Sequence, residues 1–178
     1  MQTIKIHLWS ILAGLGILLP SCVAQPTGLV KNKSYDRTLS ALLDRKEVPV
    51  IGVEELFTSN WEQKVLLDTR SREEYEISHI PGAIWVGYES FDPSAVGDLD
   101  RNKKVVVYCS VGYRSEKIGK QLQDLGFKKV INLYGSIFEW ANRSYPLIDM
   151  KGDTVNQVHA YNRMWGQWID NKEIEKKY

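Results

Sequence analysis

The stretch Val105–Phe127, VVVYCSVGYRSEKIGKQLQDLGF, decides how this chain is read. Val105 to Tyr108 is an uncharged, β-branched run ending in an aromatic, the pattern of a strand buried on both faces. Cys109 follows, and a helical pattern begins near Ser115, with Ile118, Leu122 and Leu125 spaced to face inward. Gly126 supplies a left-handed terminating position and Phe127 the apolar closure that accompanies it. Strand, tight loop and helix in this order set Cys109 at the C-terminal edge of a parallel strand, below a helix N-terminus. Open α/β sheets place their ligands there.

That position suits a reactive thiol. A free thiol ionises near pH ~8.5, and helix N-termini and nearby cations lower that value. Gly112 lets the short loop curl without a Cβ clash, so successive backbone N–H groups can converge on the sulfur. Arg114 adds a fixed charge and a planar fork suited to a sulfonate or thiosulfonate. The bland alternative is a small buried hydrophobe at the end of a strand. Gly112, Arg114 and Ser115, set in order before a helix, argue against it.

Val65-Leu66-Leu67, Ala83-Ile84-Trp85-Val86 and Val130-Ile131-Asn132-Leu133 read as further buried strands. Helical patterns lie around Glu54, around Glu74 and from Ser136 to Asn142. This alternation predicts an α/β domain with a mainly parallel sheet over residues 48–148. Residues 25–47 read as a polar tether followed by a leading helix from Tyr35 to Lys46, with Leu39, Leu42 and Leu43 at helical spacing. Residues 149–178 carry Val155, Val158, Tyr161, Trp165 and Trp168 at steps of three and four, which predicts a C-terminal helical extension. Its expected role is to bury two Trp side chains against the domain. The sharper alternative is that it reaches the Cys109 loop, with His159 or Trp165 shaping donor access, or docks a protein acceptor.

The first 24 residues read as a signal peptide. Lys5 precedes a charge-free run from Leu8 to Leu19, too short for a spanning helix, which needs ~20 residues. Leu19-Pro20-Ser21-Cys22 is similar to a bacterial lipobox, in which Cys22 becomes the lipidated first residue. Cleavage after Ala24 is the rival. The expected location is the periplasm or the envelope membrane, with membrane contact only through a lipid anchor on Cys22. The chain has two cysteines, so lipidation or removal of Cys22 leaves Cys109 unpaired outside the cytoplasm. Net charge is +1, with 23 basic and 22 acidic side chains, which argues against nucleic-acid binding. One domain cysteine with scattered histidines offers no zinc site, so no metal or cofactor is expected.

Three motifs lie in order: Leu67-Asp68-Thr69-Arg70-Ser71-Arg72-Glu73-Glu74-Tyr75 with His79-Ile80-Pro81-Gly82-Ala83, then Cys109-Ser110-Val111-Gly112-Tyr113-Arg114-Ser115, then Gly126-Phe127 through Tyr134-Gly135 to Tyr145-Pro146-Leu147. Together they closely resemble rhodanese domains over about residues 50–148. The resemblance implies a five-stranded parallel sheet with helices on both sides. It also implies that Cys109 takes sulfur from thiosulfate or a persulfide and yields it to cyanide, a thiol or a protein. Ser110, Val111, Gly112, Tyr113, Arg114 and Ser115 are then the substrate-binding loop. Ser71 to Glu74 fits a capping box. Asp68 and Arg70 are expected to tie a strand end to neighbouring loops more than to position substrate, and His79 to support packing more than acid/base chemistry. Ser78 and Ser136 depart from the resemblance, standing where glycine is common.

Two other functions compete. Some dual-specificity phosphatases share the rhodanese fold, but their loop places five residues between Cys and Arg. Here four intervene. Catalytically silent rhodanese-like binding modules commonly lack the cysteine, which this chain keeps. Sulfur transfer is therefore the expected activity.

Overall fold

A computed structural model describes residues 25–178. Cys22 and the rest of the expected signal peptide, residues 1–24, lie outside the described residues. The elements in chain order are α1 (Lys33–Leu42), β1 (Val50–Ile51), α2 (Val53–Thr58), β2 (Lys64–Asp68), α3 (Arg72–Ile77) and β3 (Ile84–Trp85). They continue with β4 (Lys104–Tyr108), α4 (Tyr113–Asp124), β5 (Lys129–Leu133), α5 (Ser136–Asn142), β6 (Gln157–His159), α6 (Arg163–Gly166) and β7 (Glu175–Lys177).

Strands β1 to β5 form one parallel sheet in the order β1-β5-β4-β2-β3. This is the expected α/β architecture. The uncharged strand runs are explained by burial on both faces. Val106 and Tyr108 of β4 pack with Leu66, Leu133 and Trp140 on one side. Val105 and Val107 pack with Leu67, Val130, Ile118 and Leu122 on the other. Successive strand side chains point to opposite faces, so one short run serves two cores. The chain leaves β2 toward one edge of the sheet and β4 toward the other. The loop after β4 thus opens at the point where strand order reverses.

Helix α4 ends as its sequence requires. The Phe127 N–H donates to the Leu122 carbonyl and the Gly126 N–H to that of Gln123, with Gly126 at φ +90°. Leu125, expected to face inward, is 37% exposed. The helix has finished at that point, and Phe127 fills the core position instead.

Two expectations for the flanking segments are corrected. Residues 25–32 are not a loose tether: the Thr27 and Gly28 N–H groups donate to the Asp36 carboxylate at 3.0 and 2.6 Å. The C-terminal extension is not a helix along its length. It is a two-stranded parallel ribbon, β6 with β7, joined through the single helical turn of α6. The physical reason is that tertiary bonds outweigh a coincidental spacing. Gln157 is fastened through its carbonyl to Ser78, the Ala160 N–H bonds the Lys177 carbonyl, and Tyr161 turns left-handed at φ +62°. Few strong helix formers stand between Thr154 and Asn162 to oppose this.

Candidate active site

Cys109 directly follows β4 and is almost wholly buried, at 1% exposure. The turn after it depends on Gly112, which sits at φ +118°; a Cβ there would meet Leu43 Cδ1 at 3.1 Å. This conformation turns the Gly112 N–H back onto Cys109 Sγ at 3.1 Å, one donor of the expected nest. Below the loop, Asn132 of β5 donates to the Gly112 carbonyl at 2.9 Å, and its Oδ1 lies 2.7 Å from the Ser115 hydroxyl. Ser115, expected to touch substrate, is engaged beneath the loop instead. Ser136 accepts from the Cys109 N–H at 3.2 Å and donates to the Leu133 carbonyl at 3.0 Å. Where the resemblance expects glycine, Ser136 keeps glycine's left-handed backbone (φ +51°) and adds a hydroxyl beneath Cys109.

Arg114 differs from its expected role. Its Nη1 and Nη2 donate to the two Glu74 oxygens at 2.7 and 2.8 Å, and Nη2 also donates to the Ser110 hydroxyl at 2.9 Å. The Ser110 hydroxyl in turn donates to Glu74 at 2.8 Å. The fork expected for an anionic substrate is therefore held by a protein carboxylate. Burial pushes the Glu74 carboxyl up, but bonds and charge from Arg114, with Arg70 behind, outweigh it and hold the group at about 2. Glu74 is also the reciprocal residue of the Ser71 capping box, the only role its local sequence announces.

Asp68 and Arg70 form a fully buried ion pair at 2.6 Å, and Arg70 also donates to the Ser78 carbonyl at 2.7 Å. Asp68 pairs in register with Tyr108, so this pair braces the floor from the adjacent strand. His79 stacks on Tyr75 at 3.9 Å and its backbone pairs with Ile148. These contacts fit a packing role.

Above Cys109 lies a cavity of about 280 Å³. Ser110, Val111, Tyr113 and Arg114 line it from the loop, and Leu42 lines it from α1. Tyr161 and Trp165 close it from the extension. Arg114 lies under the Tyr161 ring, 5.0 Å from its centroid. His159 accepts the Tyr161 N–H on Nδ1 at 3.0 Å. Burial lowers the imidazole below its ordinary pKa, with Glu74 opposing and Arg70 and Arg114 assisting, so the neutral form suits that bond. Glu74, Asn132, Leu42 and Tyr161 were not read as site residues from sequence. Asn132 alone carried a signal, as a polar residue inside a buried apolar strand.

The sequence profile of the Rhodanese-like domain family matches residues 53–143. A Bacillus subtilis protein, YrkF, named provisionally as a sulfur carrier, is 34% identical over 79 residues, covering 44% of this chain and 42% of that protein. The tRNA uridine(34) hydroxylase of Hamiltonella defensa is 40% identical over 115 residues, covering 62% of this chain and 32% of the hydroxylase. The chain thus spans less than half the length of these curated relatives. Among solved structures, an Escherichia coli rhodanese with anions is 25% identical, with a TM-score of 0.42, over 48% of this chain and 98% of that one. The profile match extends over just over half of the sequence, and this chain belongs to the rhodanese-like domain family.

Proposed function

We propose that this domain is a sulfurtransferase that carries sulfane sulfur as a persulfide on Cys109. The observation that carries the reading is the Cys109 sulfur itself, set at the end of the central strand, bonded by the Gly112 N–H and opening onto a cavity. In the forward step the Cys109 thiolate attacks the outer sulfur of the donor. A new S–S bond forms, the donor's own bond to that sulfur breaks, and sulfite leaves thiosulfate with the electron pair. In the second step a nucleophilic acceptor (cyanide, a thiol or a protein thiolate) attacks the outer sulfur and releases the Cys109 thiolate. Charge balances in both steps, and no external oxidant or reductant is consumed. Phosphoryl transfer is disfavoured because the Arg114 fork faces Glu74 rather than an open anion position.

Incubation with a sulfane donor, thiosulfate or an organic thiosulfonate, should add the mass of one sulfur atom to the intact protein, located on Cys109. Cys109→Ser should abolish both the added mass and turnover while leaving thermal unfolding nearly unchanged. Retention of most activity by that variant overturns the assignment. We further propose that residues 1–24 act as a signal peptide that exports the domain and that Cys22 is lipidated. Labelling with a tagged fatty acid should mark the wild type and not Cys22→Ala, and a mature chain beginning at Gln25 would refute it.

A further inference from the structure

The cavity over Cys109 has walls of two origins. Its floor belongs to the family loop, whereas Leu42, Tyr161 and Trp165 come from segments before and after the residues that match the family. The second group is apolar and aromatic, and several independent contacts fasten the extension in place. Ser78 Oγ donates to the Gln157 carbonyl at 2.6 Å, Asn142 donates to that of Trp168 at 2.8 Å, and Trp168 stacks on Tyr35 at 5.2 Å. Gly166 permits a close turn, since a Cβ there would lie 2.9 Å from the Ala160 Cβ. Tyr161 holds a left-handed backbone unusual for a non-glycine residue. Strain of this kind persists only where the surroundings over-determine it, and it clusters at functional sites.

Charge points the same way. The Arg114 cation is matched by Glu74 and covered by the Tyr161 ring, so an inorganic dianion finds no open fork at this mouth. A cavity of about 280 Å³ with aromatic walls is instead the size of a small organic group beside its reacting sulfur.

Building on the sulfur-transfer reading, we propose that Tyr161 and Trp165 are specificity-determining residues that select sulfur donors bearing an aromatic or bulky apolar body. The body lies between the two rings and Leu42, and its sulfane sulfur reaches Cys109. For an aryl thiosulfonate, the thiolate takes the terminal sulfur as the S–S bond breaks, and the sulfinate leaves with the electron pair.

The test compares thiosulfate, methanethiosulfonate and benzenethiosulfonate as donors to the full protein, to Tyr161→Ala and to Trp165→Ala. Met164→Ala is the control, because Met164 is 63% exposed on the same turn. The wild type and the control should favour benzenethiosulfonate over methanethiosulfonate in kcat/KM. That preference should fall roughly tenfold in either aromatic variant, the scale of one good aromatic contact. Tyr161 is half exposed, so its variant keeps the test decisive if Trp165→Ala loses cooperative unfolding. An unchanged preference in both aromatic variants, or no preference in the wild type, overturns the inference and leaves sulfur transfer standing. No sulfur on Cys109 from any of the three donors overturns both.

Discussion

The floor and the mouth of the Cys109 cavity are built on different terms. The floor is short in sequence and, Tyr113 and Arg114 apart, buried: the loop from Cys109 to Ser115 is bonded from below by Asn132 and Ser136 and from the side by Glu74. The mouth is gathered from segments before and after the family match, is half exposed, and is fastened through contacts to Ser78, α5 and α1. The Cys109 thiol thus sits in the constrained part of the backbone, and the mouth above it is built by segments outside the residues that match the family. Glu74 and Arg114 join the two, because Arg114 is clamped by Glu74 on the floor and covered by Tyr161 at the mouth.

The largest expected effect lies under the floor. Asp68→Ala leaves Arg70 as an uncompensated buried charge and should cost ~3–5 kcal/mol in denaturant unfolding. A cost well below that range would mean that the floor is not the rigid half of the comparison.

Next comes the joint between the halves. The Glu74 carboxyl is held at about 2 in the folded protein, below its ordinary 4.5. A depressed carboxyl stabilises the fold fully above its unfolded pKa, and the contribution disappears as pH falls from about 4.5 through about 2. Its size is on the order of 3 kcal/mol. Glu74→Gln should therefore flatten the loss of stability over that acid range. It should also free Arg114 and lower the KM for thiosulfate relative to uncharged donors. An unaltered acid profile in the variant would break the assignment of Glu74 as the joint.

The smallest effect belongs to the mouth alone. Ser78→Gly restores the residue common in the family and removes the hydroxyl that holds Gln157. It should cost about 1 kcal/mol and speed hydrogen exchange at the Ala160 amide, which bonds Lys177. The β4 amides should keep their protection. Equal acceleration in β4 would show that floor and mouth open as one unit.

These experiments also separate what was legible in the sequence from what was not. The strand at Val105–Tyr108, the turn at Gly112, the helix end at Gly126-Phe127 and the capping box at Ser71 are each encoded within a few neighbouring residues. Period, glycine placement and capping chemistry act over that range, so residues 105–127 alone determined the central strand, the loop and the position of its thiol. The spacing of Val155, Val158, Tyr161, Trp165 and Trp168 misled because periodicity carries no information about the partner a segment meets. Only the tertiary structure decided that Ser78 and Tyr35 would capture this segment as a ribbon with a single helical turn. It also decided the partner of Arg114, since Glu74 lies 40 residues away. Such contacts depend on which surfaces remain open after the core has packed, and no local propensity records that.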